Sequence, residues 1–371
     1  MFLLFGANAG AFAQNETDSV NGGIVEKLFD TADKVVASMG RGSWTFIPAL
    51  TYAPETSFGI GARAIKVFKP SNVSDSVTRP SSLPITFLYT LNRQAIFTGE
   101  IDLWTDHNRS YLNGRIELTD YPFWFYGIGQ ETGRDAEEYY ATRYFYFHLD
   151  YERKIARGIY LGPRYEFRAD DIYQKLPGGA LDSGRIPGSS GQRLSGFGMV
   201  LNYDTRDHIF QPSEGVFHRL SYMGFHSLFG SNFNFGQYVL DARKYLGLNN
   251  GQVLVGQAWL SFTSGNAPFQ HVSLIGGSDL MRGYFEGRFR DRHAMVYQTE
   301  YRIPVYRHLG IVIFGSAGQV AGGLPAFGWD RFKWGGGLGF RYQISEDGLT
   351  LRLDIAFGDQ RAFYFGLNEV I

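Results

Sequence analysis

The chain has 371 residues, a formal net charge of -1, 47 glycines, 32 phenylalanines, 23 tyrosines and no cysteine. A near-neutral charge gives no support to a nucleic-acid partner or a polybasic membrane-surface segment, and the absent cysteines fit an envelope protein that needs no disulfides. With 16% aromatic residues and no run of about 18 apolar residues, a membrane helix is excluded; entry into a bilayer then requires a closed barrel, which pairs every strand's backbone without water.

Residues 1–13 hold a short apolar core, Phe2-Leu3-Leu4-Phe5, and end on Ala11-Phe12-Ala13, a small-x-small pattern of the kind signal peptidase cuts. No Lys or Arg precedes the core, so the segment reads as the tail of an export signal, with Gln14 first after cleavage. Residues 14–43 are linker and helix. Past polar Asn15–Gly23, the apolar Ile24, Leu28, Ala32, Val35, Val36 and Met39 share one helical face, Glu26, Lys27, Asp30, Asp33 and Lys34 the other, and Gly40 ends the pattern.

Residues 44–371 read as one strand after another, expected at 44–52, 56–68, 83–92, 94–104, 110–120, 138–152, 158–169, 192–204, 215–225, 232–245, 252–264, 294–304, 309–318, 331–343, 348–358 and 361–370. That is about sixteen, an even count that returns both ends to the periplasmic side. Charged residues keep to one face. Asn113, Arg115, Glu117 and Thr119 oppose Leu112, Ile116 and Leu118; Arg164, Glu166 and Arg168 oppose Tyr165 and Phe167; Gln298, Glu300 and Arg302 oppose Tyr297, Tyr301 and Ile303; Arg352 and Asp354 oppose Leu351, Leu353 and Ile355. A cation facing lipid at mid-depth costs ~2 to 4 kcal/mol, so the charged face belongs inside. Long connections at 121–137, 170–191, 265–293 and 319–330 then lie outside the cell and short ones at the periplasm. Lys69–Ser82 is long but periplasmic by this count, and reads as a partner-facing flap.

The Gly-rich segment from Gly265 to His293 is too long for a hairpin turn. Within Gly276-Gly277-Ser278-Asp279-Leu280-Met281-Arg282-Gly283-Tyr284, Arg282 stands between apolar neighbours, as a cation delivered by a folded loop into a partly enclosed place that must supply a carboxylate.

This loop, followed by Tyr297-Gln298-Thr299-Glu300-Tyr301-Arg302-Ile303-Pro304, resembles the signature of the BamA/TamA outer-membrane superfamily, also called the bacterial surface antigen family. Asp204-Thr205-Arg206-Asp207 with Pro212 and Gly215, and Phe314-Gly315-Ser316-Ala317-Gly318, agree with it; the resemblance runs from about Trp44 to the end. It implies an all-β, 16-stranded antiparallel transmembrane barrel in the bacterial outer membrane, with the sixth extracellular loop folded into the lumen. Met281, Arg282, Gly283 and Tyr284 would form the loop-clamp motif, and Glu300 and Asp354 its acidic partners on the inner wall. The resemblance also makes the helix of Ile24, Leu28, Val35, Val36 and Met39 a candidate plug, the alternative being a helix at the periplasmic rim. In the family the first and last strands meet at a weak seam; Pro48, Gly366 and Asn368 would weaken pairing there.

Two departures stand out. Ser316 replaces the Asp that family members carry in a Phe-x-Asp-x-Gly pattern, which shifts weight to Glu300. Fewer than about 30 residues separate the expected cleavage point from Trp44, too few for a periplasmic POTRA domain, so a reduced variant without POTRA domains is expected.

No Gly-x-Ser-x-Gly elbow, zinc-ligand cluster or phosphate loop occurs. Neither catalysis, a metal nor a cofactor is expected, and the charges from Asp204 to Asp207 read as a solvated turn. By resemblance the barrel would assist insertion or translocation of protein or lipid in the outer membrane. It would contact membrane lipid, a client and a periplasmic accessory protein that supplies the missing POTRA role. The alternative is a passive channel or a structural subunit of an envelope complex, and a third reading is a membrane-embedded hydrolase.

Overall fold

The computed structural model describes residues 44–69, 78–208, 211–343, 350–367 and 369–371. The leader at 1–13 and the helix expected over Ile24, Leu28, Val35, Val36 and Met39 lie outside the described residues. Sixteen antiparallel strands close into one barrel, each paired with its sequence neighbours and the first with the last. In order they are Thr45–Ala53, Ser57–Phe68, Ser81–Thr90, Ala95–Thr105, Ser110–Phe125, Glu138–Ala156, Ile159–Lys175, Gln192–Asp204, Gly215–Phe225, Phe235–Gly247, Val253–Gly265, His293–Tyr306, Leu309–Ala321, Lys333–Gln343, Thr350–Phe357 and Arg361–Leu367. Two short strands inside the sixth outer loop, Ser273–Ile275 and Phe289–Asp291, form a separate two-stranded sheet, with one bridge from Arg290 to Gly129 of the third outer loop.

The alternation of the sequence sets the two faces. Outward positions such as Phe87, Leu118, Phe145, Phe197 and Leu338 are exposed and apolar. Inward ones carry both signs and pair along one strand, as in Arg115–Glu117 at 2.5 Å, between neighbouring strands, as in Arg164–Asp150 at 3.1 Å, and between the ninth and sixth strands, as in Arg219–Glu152 at 3.0 Å. Paired charges inside and hydrocarbon outside are the arrangement a lipid-spanning barrel requires.

Strands five and seven run on past their expected outer ends, to Phe125 and Lys175, while the sixth starts at Glu138 as expected and overruns at its other end, to Ala156. Above the apolar band Tyr121–Phe125 keep pairing with Glu138–Thr142. The extension has a use: Phe123, Phe125 and Tyr140 form an apolar cluster with Leu181 of the fourth outer loop and Phe269 and Phe285 of the sixth. That cluster roofs the lumen on the outer side.

Three corrections concern the periplasmic end. The last strand stops at Leu367 rather than 370, and Glu369–Ile371 turn inward. Ile371 is buried with Tyr245, Val253 and Val255, and its carbonyl accepts from Arg302 Nη2 at 2.6 Å. Within the Asp204–Asp207 turn Thr205 and Asp207 are exposed, as expected of a solvated turn, but Asp204 is not: its buried carboxylate lies 3.0 Å from Arg206 Nε and 2.6 Å from Arg79 Nη1. Arg79 belongs to the segment expected to be a flap, and it reaches from the second connection into the barrel mouth, stacked over Trp104 at 4.9 Å. Buried carboxylates attract guanidinium forks that satisfy both oxygens, which outweighs solvation of the turn.

Candidate functional site

Loop six begins after Gly265 and folds back because its backbone can take left-handed turns at Gly276, Gly277, Met281 and Gly283. Gly283, at φ +99°, presses against the fifteenth strand so closely that a Cβ would lie 2.7 Å from the Phe357 carbonyl carbon. Only glycine meets both demands. Its N–H donates to the Tyr364 hydroxyl at 3.0 Å, on the last strand, and its carbonyl accepts from Gln360 N at 3.0 Å.

That turn aims Arg282 at the inner wall. The Arg282 side chain is 1% exposed; Nη2 lies 2.5 Å from Glu300 Oε1 on the twelfth strand, and Nη1 binds Asp354 Oδ2 on the fifteenth. Its plane sits 3.6 Å over the Phe314 ring, adding a cation–π contact. Both carboxylates have second partners: Arg302 on Glu300 at 3.1 Å, and Arg341 at 2.6 Å and Arg352 at 3.8 Å on Asp354. Glu369 closes the network, 2.7 Å from Arg341 and 3.9 Å from Arg302. Four guanidinium groups thus face three carboxylates, an arrangement in which no buried acid is left without a counter-charge.

The neighbours of Arg282 fix its approach. Met281 is fully buried with Ile275, Tyr284, Phe289 and Val296, and its N–H donates to Gln298 Oε1 at 3.0 Å. The Tyr284 hydroxyl donates to the Trp334 carbonyl at 2.9 Å. Ser316, where the resemblance expects an acid, only reaches the Gly335 carbonyl at 3.4 Å, and Asp354 provides the second carboxylate from two strands further on.

Loop six also touches the rest of the wall. His271 Nε2 lies 3.1 Å from Glu166 of the seventh strand. At the outer end the N–H of Glu286 donates to Glu55 Oε1 at 2.7 Å, in the turn between the first two strands. Burial and then the neighbouring Glu286 push the Glu55 carboxyl up to about 8. Burial, then Asp279, push Glu286 up to about 7, against the pull of Arg290.

Sequence reasoning singled out Arg282, Glu300 and Asp354, and these stand together. It missed Arg341, Glu369 and the Glu55–Glu286 contact. Arg302 and Arg352 were on the charged face but unassigned; Arg341 was visible to the same alternation, two residues after Gly339. Glu369 had no signal, because the last strand was expected to continue through it.

Among the described residues the first and last strands meet at a single backbone pairing, Tyr52 opposite Phe365, with Thr51 Oγ1 donating to the Phe365 carbonyl at 3.2 Å. The last strand by contrast follows the fifteenth along its whole length, from Arg361 opposite Phe357 to Leu367 opposite Leu351. Thr45–Ala49 therefore present a strand edge with no ladder partner on that side among the described residues.

Residues 84–370 match the Omp85 superfamily domain. Among solved structures the chain is similar to BamA from Haemophilus ducreyi lacking POTRA domains 1–3, at TM-score 0.60 and 13% identity over 88% of this chain and 70% of that one. It is also similar to CdiB from Acinetobacter baumannii (TM-score 0.57, 12% identity, 88% and 60% covered) and CdiB from Escherichia coli (0.59, 9%, 88% and 63%). The chain thus spans about three fifths of the length of each CdiB chain. No curated protein matches the sequence.

Proposed function

The chain belongs to the Omp85 superfamily, and from that premise we propose that it is an outer-membrane barrel that assists insertion of client proteins through its seam, supplied by a periplasmic partner. The observation that carries this reading is the edge at Thr45–Ala49 beside a last strand that turns away. An unpaired edge is a template for one more strand, and an incoming strand would gain main-chain hydrogen bonds there in the manner of strand addition. Pro48 lacks an N–H to offer and so keeps that edge from pairing indiscriminately.

A passive channel is the less favoured reading. Arg282 with its carboxylates, the inward Glu369–Ile371 and the aromatic roof occupy the lumen that ions would cross.

The test is a seam cross-link. Tyr52→Cys with Phe365→Cys places thiols at facing positions, and facing residues of antiparallel strands stand within disulfide reach, at about 4.5 to 5.5 Å between Cα atoms. The native chain has no cysteine to interfere. In vesicles carrying the barrel, folding of a small unfolded outer-membrane barrel is followed by its heat-modifiable gel mobility. The reduced variant is expected to speed folding and the oxidised one to lose that effect. Equal rates in the two states, or a large steady conductance in planar bilayers, would overturn the proposal.

A further inference from the structure

We propose that the periplasmic end of strands five to seven carries a site for an anionic phospholipid of the inner leaflet, with the phosphate on Arg153, Lys154 and Arg157. The site begins with an overrun. The sixth strand continues past Glu152 to Ala156, and its register against the seventh shifts between Lys154 and Ala156, so Ile155 bulges out of the ladder. A bulge bends its strand and re-aims the side chains around it. Arg153, Lys154, Ile155 and Arg157 are all exposed. Arg109, whose carbonyl accepts from Lys154 N at 2.7 Å, adds a fourth exposed cation from the turn before strand five.

The outward face of strand six fixes the depth. Arg143 and Arg153 stand ten residues apart on it, with only Phe145, Phe147, Leu149 and Tyr151 between them on that face. Ten residues of tilted strand span about 25 Å along the membrane normal, the height of a barrel's apolar band. Strand six runs towards the periplasm, so Arg153 stands at the periplasmic edge of that band. Beside it the exposed Tyr151 and Tyr203 carry the amphipathic rings that suit an interface. Phospholipid headgroups meet the wall at this level.

The charges here do not cancel. At the outer end Arg143 is neutralised by Asp120 at 2.9 Å. At the periplasmic end four cations meet one acid, Asp106, which lies 3.8 Å from Arg153. Among the described residues Arg109, Lys154 and Arg157 make no ion pair. Glu152 is turned to the lumen and taken by Arg219 at 3.0 Å. In the adjoining turn Asp207 is held by the Ser213 hydroxyl and by the N–H groups of His208, Ser213 and Glu214, and Glu214 lies against Gly247 of strand ten. Arg153 is kept on the wall by Nη1 donating to Ser110 Oγ at 3.3 Å, with the Tyr151 hydroxyl 3.4 Å from the same oxygen. Its side chain stays 58% exposed, which leaves the rest of the fork for a phosphate. Leu149 and Leu161, exposed on the outward face above it, give the acyl chain its wall. A patch with this excess favours a head of net negative charge over a zwitterionic one, whose ammonium would meet the same cations.

The test is native mass spectrometry of the intact barrel in detergent, titrated with phosphatidylglycerol, phosphatidylethanolamine and phosphatidylcholine of identical chains. One cation near an anionic head is worth about fivefold in affinity, so phosphatidylglycerol is expected to be retained about five- to twentyfold better than the other two. Arg153→Gln lowers its retention about fivefold, Lys154→Gln combined with Arg157→Gln removes the preference, and Asp106→Asn raises it. Lys244→Gln, which removes an exposed cation from the periplasmic end of strand ten, leaves the preference unchanged and separates the site from overall charge. Heat-modifiable mobility confirms that each variant is folded. Equal retention of the three lipids by the native barrel, or a loss in Lys244→Gln as large as in Arg153→Gln, would overturn the site. Native lipid retention in the Arg153 and Lys154/Arg157 variants overturns it as well, and if their folding assistance is lost at the same time the turn belongs to an acidic partner protein.

Discussion

Replacing Arg282 by Gln should release loop six while leaving the barrel closed. The side chains of Arg282, Glu300 and Asp354 are at most 1% exposed, so solvent screening takes little from their attraction. Removing one partner of a buried ion pair costs about 3 to 5 kcal/mol, chiefly through the charge left behind. Here that remainder is softened, because Glu300 keeps Arg302 and Asp354 keeps Arg341 and Arg352. The lower bound, about 3 kcal/mol, therefore applies, and it raises the open population of the loop on the order of a hundredfold. Trypsin reads this directly: Arg288 and Arg290 lie in the same loop, 5% and 2% exposed, and are cut only when it opens. When reclosing outruns cleavage, the cutting rate follows the open fraction. A hundredfold faster loop cleavage is expected in Arg282→Gln, with an intermediate rate in Arg282→Lys, which keeps the charge but loses the fork. Glu300→Gln combined with Arg282→Gln should cost less than the two singles added, since they break one contact. A folded Arg282→Gln barrel cut within about threefold of the native rate would refute the energetic reasoning, because about 0.6 kcal/mol is too little for a buried pair.

Gly283→Ala should loosen the same loop by about 1 to 3 kcal/mol, because its Cβ meets the Phe357 carbonyl carbon and its backbone is left-handed; native-like trypsin protection would show that the approach is less tight. For the Glu55–Glu286 contact, both carboxyls keep a proton in the docked loop that they lose near 4.5 when free. The docked state then binds more protons between about pH 4.5 and 8, so docking is strongest at the acid end and weakens as pH rises through 7 and 8. Amide exchange over residues 276–292, corrected for intrinsic rates, should accelerate from pH 5 to pH 8.5, and Glu55→Gln should flatten that rise; an unchanged slope in the variant would remove the contact from the account.

Alternation made the wall legible. A strand that must hide Arg115 and Glu117 and show Ile116 and Leu118 has one orientation, and repeating that constraint strand by strand yields sixteen crossings. The same constraint ends where lipid ends, which is why the outer extensions of strands five and seven escaped it: Tyr121–Phe125 are apolar on both faces because one packs under the outer loops. Arg282 could be picked out from its glycine-rich, apolar surroundings, but the identity of every group around it depends on register between strands that are distant in sequence. Arg341 and Glu369 come together across 28 residues only because the last strand stops early and turns inward. No periodicity carries that information. Asp204 escaped for a related reason: it looks as solvated as Asp207 is until Arg79, 125 residues away, is seen to reach it.

Loop six and the seam are one mechanical unit. The loop's backbone donates to Tyr364 on the last strand through Gly283 and to Glu55 beside the first strand through Glu286. It therefore holds both margins of the seam at the outer end, where Tyr52 and Phe365 also make their single pairing. At the periplasmic end nothing comparable joins the two margins among the described residues: Glu369–Ile371 are drawn inward to Arg341 and Arg302. On the proposed reading, widening would begin at the periplasmic end, and a client strand that lengthens the edge would then have to part Tyr52 from Phe365 below the loop, the step a cross-link there blocks. On the same reading a strand arriving from the periplasm would meet the free edge first, and Arg282, by anchoring the loop to the twelfth and fifteenth strands, would set how far up the wall that edge extends.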